Sequence, residues 1–240
     1  MITVLKTASL LLSYPSEELH QAMPELVDIL VGGNQANKRE IGLLVDLASN
    51  IAESELYEAQ ERYVHLFDRT RSLSLHLFEH VHGESRDRGQ AMVDLMAVYE
   101  NNGLAIDERE LPDYLPLFLE FIATRSEEEA REMLMQTLHI ITALGARLKK
   151  RKSIYANVFR ALELFGKSKP DQTLVDTILA RPEDDPDDLE ALDAIWEEEA
   201  ITFGGNAGEN DCGPDRLQRQ LRASQRKPDQ ADASTNVKEA

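Results

Sequence analysis

The chain has 240 residues, 42% of them hydrophobic and 29% charged, which is enough apolar content for a packed core and too much for a wholly disordered chain. Forty-four acidic residues against 26 basic ones leave a formal charge of −18, which argues against nucleic acid or anionic lipid as the main partner and suits basic peptide segments. A single cysteine, Cys212, excludes an internal disulfide and a cysteine-rich zinc site and fits a reducing compartment.

Helical periodicity runs through the first two hundred residues, and no alternating, β-branched run bounded by turn residues interrupts it. The first expected helix, 2–13, is apolar and stops at Tyr14-Pro15. It has one positive charge and no small-residue cleavage pattern, so no secretory leader is expected. Helices are expected next over 17–30, ending at Gly32-Gly33, then over 39–51, and over 54–67 with Ser54 as its cap. A short helix is expected over 74–82, stopped by Gly83, and another over 85–101, stopped by Asn102-Gly103. Two prolines, Pro112 and Pro116, introduce a helix over 115–123, with Asp113 able to cap it.

Ser126 and Glu129 form a capping box ahead of a helix over 127–151, whose apolar face carries Met133, Leu134, Leu138, Ile141, Leu144 and Leu148. Asp107 and Glu110 are a weaker pair of the same kind. Helices over 155–165, 174–180 and 188–203 follow; the lone Trp196, with Leu189, Leu192 and Ile195, would dock the last of them. The expectation is an all-α, single-domain bundle of about ten helices over 1–203. After a glycine-rich linker at Gly204-Gly205, a flexible, mostly disordered tail is expected over 204–240. No apolar stretch approaches the roughly 20 residues of a membrane helix.

Charge is segregated. Residues 142–170 hold eight basic residues against Glu163 alone, and residues 171–203 hold twelve acids against Arg181 alone. Either two solvated faces attract each other within the molecule, or the acidic segment competes for a basic peptide.

Two stretches carry candidate chemistry. The first is Leu75-His76-Leu77-Phe78-Glu79-His80-Val81-His82-Gly83-Glu84-Ser85-Arg86-Asp87-Arg88-Gly89-Gln90, with three of the six histidines. On a helix, His76, Glu79 and His80 would share one face and could hold zinc or iron. The alternative is a hydrogen-bonded turn of imidazoles, Glu79, Arg86 and Arg88. The second stretch is Glu110-Leu111-Pro112-Asp113-Tyr114-Leu115-Pro116-Leu117-Phe118-Leu119-Glu120-Phe121. It reads as a helix start with an aromatic core face, or as a rim of Tyr114 and Glu120 beside an apolar groove. No nucleophile elbow, phosphate loop or dinucleotide fingerprint occurs, and Cys212 lies in the expected tail.

Together with Tyr63-Val64-His65-Leu66-Phe67-Asp68, these stretches resemble the respiratory nitrate reductase molybdenum cofactor assembly chaperones of the NarJ type, within the wider redox-enzyme maturation chaperones. The run Phe78-Glu79-His80-Val81-His82-Gly83-Glu84-Ser85-Arg86-Asp87-Arg88-Gly89-Gln90 is its most specific part. The likeness spans about Leu10 to Glu199.

The resemblance implies a helical, non-enzymatic, cytoplasmic protein with no cofactor of its own. Its partner would be the catalytic (alpha) subunit of a respiratory nitrate reductase, including the N-terminal peptide. It would hold that subunit open for cofactor insertion and delay docking to the membrane. A related chaperone serving another molybdoenzyme, such as an S- or N-oxide reductase, is the alternative, with the His76, Glu79 and His80 metal enzyme behind it. By position in the motifs, Tyr63, Phe67, Phe78, Glu79, His82, Asp113, Tyr114 and Glu120 are the expected partner-binding residues. Gly83, Arg86 and Arg88 are expected to shape the turn. Asp113 and Tyr114 are expected to be replaceable without unfolding.

Overall fold

Apolar side chains at three-and-four spacing must be buried against one another, and the computed structural model shows which helices do so. It describes residues 2–33, 38–81, 86–106, 110–183 and 187–188. Among them are nine α-helices and no strand: α1 Ile2–Leu12, α2 Glu17–Gly32, α3 Lys38–Glu53, α4 Leu56–Phe67, α5 Arg86–Asn101, α6 Leu115–Ala123, α7 Glu127–Lys150, α8 Ala156–Gly166 and α9 Gln172–Leu179. The expected helix 188–203, Trp196 and the tail beyond Phe203 lie outside the described residues.

Three of the helices start at a side-chain cap. Ser16 accepts the Leu19 N–H ahead of α2, Asp171 accepts two N–H groups ahead of α9, and Ser126 with Glu129 closes a reciprocal box ahead of α7. Ser54 does not cap α4: its hydroxyl donates back to the Asn50 carbonyl, and Glu55 holds the N-cap position without a side-chain bond. Asp113 does not cap α6 either; Tyr114 holds that position, because Asp113 is engaged elsewhere. The expected capping pair Asp107 and Glu110 is half outside the described residues, since 107–109 are not described.

The core is one cluster. α1 packs on α6 and α3, α2 on α3, and α7 on α8 and α9. Val4, Leu5, Ala8, Leu11 and Leu12 give α1 a fully buried apolar face, and the Ser9 hydroxyl donates to the Pro116 carbonyl at 2.7 Å, fixing α1 to the start of α6. α7 and α8 approach closely because residue 145 is glycine: a Cβ there would stand 3.1 Å from the Phe159 Cβ.

The segment expected to be a helix over 74–82 is not one. Ser74 and Leu75 are non-helical, His76 pairs with Tyr114 in an isolated antiparallel bridge, and only Leu77–His80 turns, as a 3-10 helix. The bridge takes the backbone groups that an α-helix would use: Leu77 N–H donates to the Asp113 carbonyl at 3.0 Å and Leu115 N–H to the Leu75 carbonyl at 2.9 Å.

Candidate functional site

The two motif stretches meet at this bridge, and Asp113 joins them. Its side chain has 0% exposure. One carboxylate oxygen accepts from His76 Nδ1 at 3.1 Å and the other from the Phe78 N–H at 3.0 Å. A buried carboxylate needs such partners, since an unpaired one costs several kcal/mol. The Asp113 bond raises the His76 pKa above its ordinary value, although burial opposes it. His80 behaves oppositely. It is buried, its Nε2–H donates to the Ser74 carbonyl at 2.8 Å, and burial lowers its pKa.

The third motif joins from α4. The Tyr63 hydroxyl donates to the Leu12 carbonyl at 2.9 Å and lies 3.1 Å from the Tyr114 hydroxyl. Because the Tyr63 proton is committed to a carbonyl, Tyr114 donates to Tyr63. Burial, reinforced by Tyr114, pushes the Tyr63 pKa up, and burial does the same for Tyr114. Both hydroxyls therefore stay protonated at neutral pH.

Rings extend the array in both directions. Tyr14 stands edge-on to Tyr63 at 5.7 Å, Tyr63 lies 5.0 Å from Phe67, and Phe67 meets Tyr155 edge-on at 5.1 Å. The His76 and Tyr114 rings are 5.5 Å apart.

From core to solvent the site is graded. Tyr63, Phe67 and Tyr155 are buried, Tyr114, His76 and Phe78 are half-buried, and Tyr14 is 46% exposed. Acids surround it. Burial raises the Asp68 pKa while the His76 imidazole opposes it, and the charges of Glu110 and Asp68 both act on Tyr114. Leu10 and Leu111 are large exposed apolar residues on the neighbouring segments.

The expected site residues therefore separate. Tyr63, Phe67 and Asp113 are core groups that position the surface; they do not line it. Phe78 and Tyr114 reach the surface, and Glu79 is half-buried with Arg88 Nη2 on its carboxylate at 3.2 Å. Glu120 is exposed on α6, and its side chain bonds to no other described residue. His82 and Gly83 lie outside the described residues. Arg86 opens α5, but its side chain is not described.

The metal reading fails on geometry. His76, Glu79 and His80 share no helix face, His76 is bound to Asp113, and His80 to a backbone carbonyl. Among the described residues no group of three or more His, Cys, Asp or Glu side chains could hold an ion.

Sequence reasoning missed Tyr14, Tyr155 and Arg147. Arg147 was counted with the solvated basic run, yet it is 2% exposed. It donates to the carbonyls of Ser72 at 2.6 Å, Ile178 at 2.7 Å and Arg181 at 3.3 Å. Its place three residues after Leu144 and seven after Ile140, on the apolar face of α7, was the available signal. Of the acidic run, Glu183 pairs with Lys150 at 3.0 Å and Arg151 at 3.7 Å, so the two charged segments do meet within the molecule there.

Comparison with known proteins shows the family of the chain. The family model "Nitrate reductase delta subunit" matches residues 16–161. The chain is 42% identical over 205 residues to the nitrate reductase molybdenum cofactor assembly chaperone NarJ of Escherichia coli K12, covering 85% of each chain. It is 41% identical over 201 residues to the protein described as the probable chaperone NarW of the same strain, covering 83% of each. A Bacillus subtilis protein described as a probable NarJ is 35% identical over 64% of this chain and 83% of its own. A crystal structure assigned as a redox enzyme maturation protein from Archaeoglobus fulgidus has the same fold. Its TM-score is 0.51 at 22% identity, over 70% of this chain and 94% of that one. Among the described residues no helix is long and apolar enough to cross a membrane. The chain belongs to the nitrate reductase delta subunit family, the family of the nitrate reductase molybdenum cofactor assembly chaperones, and is a chaperone and not an enzyme.

Proposed function

We propose that the protein binds the cofactor-free catalytic subunit of a respiratory nitrate reductase in the cytoplasm. It keeps that subunit open for insertion of the molybdenum cofactor and delays its docking to the membrane subunit. It is absent from the finished enzyme, and the molybdenum belongs to the client.

The observation that carries this reading is the junction at Asp113. One buried carboxylate ties the two motif stretches together and fixes His76 and Phe78 beside Tyr114; Tyr14 joins this half-exposed face through its edge contact with Tyr63, and Asp68 and Glu110 stand close by. An amphipathic peptide helix has a complementary pattern: apolar anchors for the rings and basic residues for the rim. The client's N-terminal segment is the natural occupant.

Binding of this kind needs no nucleotide hydrolysis. A partner that grips the open conformer more tightly than the closed one shifts the client towards openness, and lets go when cofactor loading stabilises closure. Titration calorimetry with the client's N-terminal peptide tests the surface. Tyr114→Ala removes a ring and a hydroxyl at its centre and is expected to weaken binding by about tenfold or more. Unchanged affinity, with the helical circular dichroism intact, refutes the placement.

A further inference from the structure

Two buried hydroxyls grip the segment that carries Asp113 and Tyr114, one at each end of it. The Tyr99 hydroxyl of α5 donates to the Pro112 carbonyl at 2.8 Å, and the Ser9 hydroxyl of α1 to the Pro116 carbonyl at 2.7 Å. The donors stand 13 and 107 residues away in the chain, and both side chains are buried.

Packing alone does not ask for a tyrosine at position 99. Its ring lies 4.6 Å from the Phe121 ring in an edge contact that phenylalanine makes equally well. The hydroxyl is a buried polar group that has to be satisfied, and the Pro112 carbonyl satisfies it. Burial, reinforced by the Asp113 charge, pushes the Tyr99 pKa up, so the hydroxyl keeps the proton it donates. Tyr99 is also the one buried side chain among the described residues of α5, so the helix is moored to the core at this point.

The carbonyl that Tyr99 holds belongs to the peptide unit leading into Asp113. That unit is planar, so fixing the Pro112 oxygen fixes the Asp113 N–H and, with it, the direction from which the Asp113 side chain leaves the backbone. The carboxylate has little slack of its own, since its oxygens meet His76 Nδ1 at 3.1 Å and the Phe78 N–H at 3.0 Å. At the other end, the Ser9 bond ties the chain to α1 two residues beyond Tyr114. We infer that Tyr99 and Ser9 are positioning residues for client binding. They act through the backbone of 112–116 and set where the Tyr114 ring and the Asp113 junction meet the client. The inference rests on the client reading above, and both residues, being buried, act without touching the client.

Titration calorimetry of the full chain with the client's N-terminal peptide tests it, using Tyr99→Phe and Ser9→Ala. Each variant removes one hydroxyl and keeps the apolar packing. Each is expected to weaken binding by about threefold to tenfold, the scale of one lost hydrogen bond, and to lower Tm by about 2–6 °C. Val175→Ala, a buried change on α9, is the stability control: it should lower Tm at least as much and leave affinity unchanged. NMR supplies a signature that stability alone does not move. In Tyr99→Phe the Asp113 amide resonance should shift and the His76 pKa should fall back towards its ordinary value, and in Val175→Ala both should stay in place. Unchanged affinity in both hydroxyl variants, with Tyr114→Ala weakening binding, overturns the inference and leaves the client reading standing. An equal loss of affinity in Val175→Ala overturns it too, as does a His76 pKa unmoved in Tyr99→Phe. Unchanged affinity in Tyr114→Ala refutes the client surface, and the positioning role falls with it. Should Tyr99→Phe fail to fold, Ser9→Ala decides.

Discussion

Replacing Asp113 with alanine is expected to lower the thermal midpoint by about 5–15 °C. The side chain is wholly buried and accepts from both the His76 imidazole and the Phe78 N–H. Alanine strands that buried amide, removes the counter-charge of His76 and leaves a small cavity, together about 2–4 kcal/mol. A domain of this size loses roughly 2–4 °C per kcal/mol.

Asp113→Asn keeps the shape but faces one of the two donors with an amide N–H group, so about half the loss should remain. The same substitutions should return the His76 pKa towards its ordinary value, which imidazole NMR titration reads directly. The sign of the pH dependence follows. His76 has a folded pKa raised by Asp113, so its contribution to stability is complete below the unfolded value of about 6.5 and fades as pH rises through the folded value. His76→Gln should flatten that decline. A melting temperature within 2 °C of the parent for Asp113→Ala would show that the junction is not held as described.

Arg147→Ala is expected to cost about 3–5 kcal/mol, the scale for removing one partner from a buried charged contact. Its guanidinium reaches from α7 to the 3-10 turn Arg71–Leu73 through the Ser72 carbonyl, and to the end of α9 through Ile178 and Arg181. Without it, carbonyls in two separate segments lose a shared donor, and the volume of a long side chain is left behind. Lysine is a poor substitute, because one ammonium cannot reproduce a planar fork spread over three acceptors. Hydrogen exchange should localise the damage: amides of α9 are expected to exchange far faster in the variant while those of α1 and α6 change little. Uniform exchange across all helices, or a variant as stable as the parent, contradicts this role.

Residues 115–123 show how legible the helices were, for the structure puts α6 at those bounds. A proline-led start and an apolar run leave little choice, and the Ser126 and Glu129 box fixes α7 just as locally. The stretch 74–82 was not legible. His76, Glu79 and His80 have helical spacing, but the backbone there hydrogen-bonds to Leu75–Leu77's partner segment around Asp113, nearly forty residues away. No local pattern encodes such a bridge.

Asp113 and Arg147 share that cause. The sequence makes Asp113 a helix cap or a partner-binding residue and Arg147 part of a solvated run, whereas their partners are a histidine 37 residues distant and backbone carbonyls, which carry no sequence signature. Of the motif residues that resemblance picked out, Tyr63, Phe78, Asp113 and Tyr114 meet at the bridge, whereas Glu120 stands apart on α6 and His82 lies outside the described residues. Tyr63 and Asp113 turned out to be the supports of the surface and Tyr14 part of its exposed edge, a division that only burial reveals.

The most direct test of the chaperone reading is a competition for the full chain between the cofactor-free and the molybdenum-loaded catalytic subunit, followed by surface plasmon resonance. The account predicts at least tenfold tighter binding of the cofactor-free form, with the difference largely abolished by Tyr114→Ala. Equal affinity for the two forms would contradict it, because a partner that binds both states alike cannot hold either one open.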